Sequence, residues 1–227
     1  MMFWSELVHI GDLPLTLAAA AAVTIWLAAG RAWRIAFLWS LLFLLGIGLV
    51  VMTKVTFLAW GSPLPTHDFN AVSGHATGVT AVLPTIFFLL IKQYTSRPYL
   101  HRAGAAAGLA AGALMSALLV ANGDHSVVEV VAGWTIGTAI SLSGIWLASA
   151  MPPPPRHALW YSTAAFMVTL YSTHSFPFGY VMYRAAHVLP SNTVFFKNEA
   201  PARECKFLPK KEASCLPKKC VIQYSLG

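Results

Sequence analysis

Asn122-Gly123-Asp124-His125-Ser126-Val127-Val128-Glu129-Val130-Val131-Ala132-Gly133 opens a long apolar run with an ionisable pair. His125 and Glu129 stand four residues apart, just over one helical turn, so a helix projects both from one face. Such a pair at the mouth of a membrane-length helix is costly unless other groups use it. Ser126 and Glu129 also make an S-x-x-E capping box, with the hydroxyl capping the helix and the carboxylate reaching back. The two roles do not exclude each other.

Four further apolar runs precede this junction, at about 13–30, 35–53, 75–91 and 103–121, and the stretch itself begins a fifth, 126–150. A sixth, 158–171, follows the helix-stopping prolines from Pro152 to Pro155. Most are close to the roughly 20 residues needed to cross a bilayer; the sixth is short. The fourth is rich in Ala and Gly, which suits close helix contact in lipid. Lys54 ends the second run, and the segment 55–73, broken by Gly61, Pro63, Pro65 and Asn70, reads as a loop. The chain is 57% hydrophobic and only 10% charged, against about 25% charged in an average soluble domain. The expected architecture is therefore all-α: a polytopic membrane bundle of about six transmembrane helices over 13–173. It is preceded by a short segment, 1–12, and followed by a C-terminal extension, 174–227.

The formal charge of +7 is not a nucleic-acid signature, because seven of the fifteen Lys and Arg fall between Lys197 and Lys219. The others punctuate the runs. Arg31, Arg34, Lys92, Arg97, Arg102 and Arg156 follow the first, third and fifth runs, whereas the alternate gaps hold only Lys54. The positive-inside rule puts the first set in the cytoplasm and the other ends outside. Residues 1–12 carry Glu6 and Asp12 without Lys or Arg, so no cleaved secretory signal is expected. Cys205, Cys215 and Cys220 share the basic tail, at a spacing that matches no strong zinc pattern.

On this topology the outer face collects Lys54, His67, Asp68, Ser73, Gly74, His75, Asn122, Asp124, His125, Ser126 and Glu129. Two histidines, a lysine and carboxylates on one side suit phosphoryl transfer. One imidazole nitrogen can attack phosphorus when a carboxylate holds the other. A second imidazole can protonate the departing alkoxide. A lysine and helix-start amides can stabilise the equatorial oxygens. A zinc site from His75, His125 and Glu129 is the alternative chemistry, opposed by the nearby Lys54 charge.

Ser73-Gly74-His75, followed after the fourth run by Gly-x-His-Ser-x-x-Glu-Val-Val-Ala-Gly, resembles two signatures of the type 2 phosphatidic acid phosphatase superfamily. Those membrane lipid phosphatases share a helical core with vanadium haloperoxidases. The resemblance implies His125 as nucleophile, forming a phosphohistidine, with Glu129 orienting it and His75 as general acid. It also implies Ser73, Gly74 and Lys54 as phosphate contacts, and no metal or other cofactor. Two arginines of the pattern are replaced, by Gly61 and Leu119. Arg184, beyond the sixth run on the same side, is the candidate replacement cation.

The expected function is hydrolysis of a lipid phosphate or prenyl pyrophosphate at the outer, periplasmic face of a bacterial inner membrane. The alternative is a non-catalytic relative that binds phosphorylated lipid or a protein partner. The oligomeric state is not legible.

Overall fold

The computed structural model describes residues 12–60, 69–174 and 176–188. Among them the chain is all-helical, in seven helices: α1 Leu13–Ala29, α2 Trp33–Trp60, α3 Gly74–Tyr94, α4 Pro98–Ala121, α5 Val127–Ser149, α6 His157–His174 and α7 Phe178–Val188. Four of these, α2 to α5, are long and apolar enough to cross a membrane. At 17 residues α1 is apolar but shorter, and α6 is more polar than those four. The outside of α2 is correspondingly greasy, with Phe37, Leu44, Leu45, Leu49 and Met52 all exposed. A water-soluble bundle rarely shows such a continuous apolar face.

All six expected runs are helices, but two boundaries differ. The second helix continues past Lys54 to Trp60, because Val55-Thr56-Phe57-Leu58-Ala59 contains no breaker. Lys54 is thus within α2 rather than at its end. Part of the expected C-terminal extension forms α7, whose Met182 and Ala186 pack on Val55 and Ala59. His67, Asp68, Gly61, Glu6 and the cysteine-containing tail lie outside the described residues.

The centre of the bundle is α3, which packs against α1, α2, α4 and α5. Its seams depend on small residues. Gly108 of α4 faces the backbone of Pro84, with no room for a side chain between them. On the other flank, a Cβ on Gly133 of α5 would come within 2.5 Å of the Ser73 carbonyl oxygen. Close backbone approach of this kind is the usual means of packing helices in lipid.

Helix direction alternates, so the two ends of the bundle differ. One end gathers the starts of α1, α3 and α5, with the Thr173 hydroxyl at the end of α6 donating to the Pro14 carbonyl. At the other end Lys92 donates to the Ala148 and Ser149 carbonyls, capping the C-terminus of α5. The histidine–carboxylate pairs are at the first end.

A histidine–carboxylate cluster at one end of the bundle

The α4–α5 junction is built by local rules. Helix α4 ends in a Schellman motif, with Gly123 N donating to Val120 O and Asp124 N to Leu119 O. Gly123 has φ 72°, a left-handed conformation open to glycine at no steric cost. Ser126 then caps α5. Its hydroxyl accepts from Glu129 N, and Glu129 reaches back to Ser126 N at 3.2 Å, completing the capping box. The second role of Glu129 is present as well, for its Oε2 accepts from His125 Nδ1 at 2.7 Å.

Glu129 does more than orient one histidine. Its Oε1 accepts from Asn70 N at 2.7 Å and Ala71 N at 3.3 Å, and its backbone carbonyl accepts from Ser73 N at 3.2 Å. The carboxylate is buried and its two oxygens receive four N–H donors. Four such donors fix the carboxylate in place. It also welds the segment entering α3 onto α5, while Thr53 Oγ1 of α2 accepts from Val72 N.

That weld sets the start of α3. Ser73 is fully buried as N-cap, accepting from Ala76 N and holding Thr77 through its carbonyl. Among the described residues the amides of Gly74 and His75 have no acceptor. Lys54 is half-buried beside them, its Nζ 3.8 Å from where a Gly74 Cβ would sit. It makes no hydrogen bond or ion pair among the described residues. An ammonium set against the positive end of a helix leaves a local excess of positive charge, which favours an anion.

His75 lies near both Lys54 and His125. Its Nε2 is 3.0 Å from Asp12 Oδ1, at the start of α1. Sequence reasoning missed Asp12 as a site residue. It precedes an apolar run, which is an ordinary place for a helix cap, and its partner is 63 residues away.

Arg184 is on α7, halfway between the packed Met182 and Ala186, so it projects from the opposite side of that helix. It is exposed, with its guanidinium 5.9 Å from the centre of the Tyr180 ring. Leu119, at the position where the resemblance expects an arginine, is buried with Ala76, Val79, Met115 and Val130. Asp124 and Asn122 remain exposed at the junction. Among the described residues no three His, Cys, Asp or Glu side chains are grouped to hold a metal ion. The zinc set is not assembled, since both Glu129 oxygens are taken by N–H donors.

Fold and cluster together define an all-helical protein with four membrane-length helices and two histidine–carboxylate pairs at one end of the bundle. It belongs to the family of an uncharacterised 22.5 kDa protein in the cps region of Klebsiella pneumoniae. The two are 30% identical over 177 residues, covering 77% of this chain and 84% of that protein. No protein-family model matches the chain. No solved structure matches it either.

Proposed function

We propose that this protein is an integral-membrane phosphatase that cleaves a lipid phosphate or prenyl pyrophosphate through a phosphohistidine. The observation that carries this reading is the 2.7 Å bond from His125 Nδ1 to the buried Glu129, which leaves Nε2 as the nucleophilic nitrogen. In the first step Nε2 attacks phosphorus, the N–P bond forms and the ester P–O bond breaks. The electron pair leaves with the ester oxygen, which takes a proton from His75. Lys54 and the Gly74 and His75 amides offset charge on the equatorial oxygens. In the second step water attacks phosphorus, the new P–O bond forms as the N–P bond breaks, and the electron pair returns to His125 Nε2; His75 accepts the proton of that water and inorganic phosphate leaves.

The apolar helices favour a substrate delivered from the bilayer. We place the cluster on the periplasmic side of a bacterial membrane, because Arg31, Arg97, Arg102 and Arg156 belong to the opposite end of the bundle. A relative from Klebsiella pneumoniae supports a bacterial setting. We also propose that α1 and α6, which pack on each other, make the fifth and sixth crossings.

The test is phosphate release by purified protein from phosphatidic acid, a lysolipid phosphate and a prenyl pyrophosphate, with His125→Ala alongside. Release lost in His125→Ala, with radiolabel trapped on a histidine in the wild type, supports the proposal. No release from any substrate defeats it. The second reading, a lipid-phosphate binder without turnover, is favoured by Leu119, whose apolar surroundings leave Lys54 without the usual arginine. Retained binding with no release would select it.

A further inference from the structure

Asp12 occupies the N-cap position of α1, yet its side chain makes no capping hydrogen bond there. It reaches His75 Nε2 instead, at 3.0 Å. The helices are held so that this contact is specific. One turn further along each helix, Thr16 meets Gly78, where a Cβ would lie 2.6 Å from the Thr16 Cγ2 methyl. Asp12 with His75 and Thr16 with Gly78 form two successive rungs between parallel helix starts, and Thr16 N and Oγ1 both donate to the Asp12 carbonyl. A carboxylate only accepts, so the nitrogen facing it carries the proton.

We propose that Asp12 is a positioning residue for the general acid, holding His75 by Nε2–H so that Nδ1 is the nitrogen that gives its proton to the leaving oxygen. This rests on the phosphatase reading. The cluster then contains two histidine–carboxylate pairs with opposite tasks. Glu129 is buried and holds the nucleophile from within the bundle. Asp12 is open to solvent, its side chain 44% exposed, and holds the acid from the rim. As the P–O bond breaks, the proton moves from His75 Nδ1 to the ester oxygen, while the Nε2–H bond to Asp12 is kept. In the second step Nδ1 takes a proton from the attacking water. Asp12 favours the imidazolium that exists before the first of these events and again after the second.

The test compares two esters on the full chain in micelles. A long-chain alkyl phosphate needs its leaving oxygen protonated, whereas 4-nitrophenyl phosphate does not. Asp12→Asn should slow the alkyl ester by roughly 10- to 100-fold, a part of the about 10²–10⁴-fold that general acid catalysis supplies, and the nitrophenyl ester by less than about 3-fold. Asp12→Asn combined with His75→Gln should be no slower than His75→Gln alone, because the two act as one unit. Equal slowing of both esters, faster turnover, or additive losses would overturn the proposal. A second readout is independent of turnover. In ¹⁵N-histidine spectra, the His75 signal, identified by its loss in His75→Gln, should shift in Asp12→Asn while the His125 signal stays. An unmoved His75 signal overturns the placement whatever the activity. Wild-type protein inert on both esters defeats the phosphatase reading, and the His75 signal then decides the Asp12 contact alone.

Discussion

Glu129 and Asn70, 59 residues apart in sequence, meet at 2.7 Å between a carboxylate oxygen and a backbone amide, while the other oxygen holds His125 at the same distance. One buried side chain thus fixes both the candidate nucleophile and the segment that starts α3. Its loss has two separable consequences, one for the fold and one for the chemistry.

Glu129→Gln keeps the shape but turns one acceptor oxygen into a donor facing N–H groups. Leaving a buried donor unsatisfied costs about 1–3 kcal/mol, so thermal unfolding in micelles should move to clearly lower temperature. Hydrogen exchange at Asn70 and Ala71 should quicken more than exchange in the middle of α4. Undiminished protection of those two amides would show that Glu129 does not hold the segment.

The seam between α3 and α5 is tested with two glycines. Gly133→Ala drives a methyl against the Ser73 carbonyl, where a Cβ would sit at 2.5 Å. Overpacking of this kind costs about 1–3 kcal/mol. A Cβ on Gly48 meets nothing within 4 Å, so Gly48→Ala should be neutral or stabilising through helix propensity, by up to about 1 kcal/mol. Comparable melting temperatures for the two variants would count against the tight seam.

Much of this architecture was legible because the signals were local. His125 and Glu129 share a turn, so their pairing follows from helical period, as does the capping box with Ser126. The six helical runs follow from hydropathy. What escaped was tertiary. Nothing around Asp12 announces a partner on α3. The six further residues of α2, to Trp60, are marked only by the lack of a breaker after Lys54, a signal outweighed by the turn formers from Gly61 onward. The amides of Asn70 and Ala71 belong to the backbone of a segment read only as a loop, so no residue type marks them as ligands of Glu129. Arg184 is the converse case, since a cation expected beside the cluster projects away from α2.

Leu119→Arg restores the residue type that the resemblance expects, and should not create a phosphate clamp. The side chain is 1% exposed and its neighbours Ala76, Val79, Met115 and Val130 offer a guanidinium no acceptor. An unpaired buried charge is among the most destabilising single changes, and a loss above about 3 kcal/mol follows. The variant should accumulate poorly or melt early, with no gain in turnover. A stable Leu119→Arg protein that releases phosphate faster than wild type would refute this and show that the cluster can open.

Lys92 provides a contrast at the far end. Its ammonium donates to Ala148 O at 2.7 Å and Ser149 O at 2.9 Å. Hydrogen bonds from charged donors contribute about 1.5–3 kcal/mol each, so Lys92→Met should destabilise the bundle while leaving the kinetics of the surviving folded protein unchanged. A changed KM at full folding would mean the two ends are coupled.

Lys54 should behave in the opposite way. Among the described residues it has no hydrogen-bond or ion-pair partner, and it stands at the positive start of α3. Removing its charge relieves a burial cost and a repulsion at that helix start, against the loss of its attraction to Glu129, so Lys54→Met should hold or raise the melting temperature. The same change removes the cation that stands against the start of α3 among the described residues, and loss of one preorganised donor costs about 10²–10³ in turnover. Vanadate, which adopts the geometry of the transferring phosphoryl group, gives the binding readout. It should raise the melting temperature of wild-type protein and leave Lys54→Met unmoved. Equal vanadate stabilisation of both proteins would take Lys54 out of the anion site, and with it the electrostatic argument for phosphoryl chemistry at this end of the bundle.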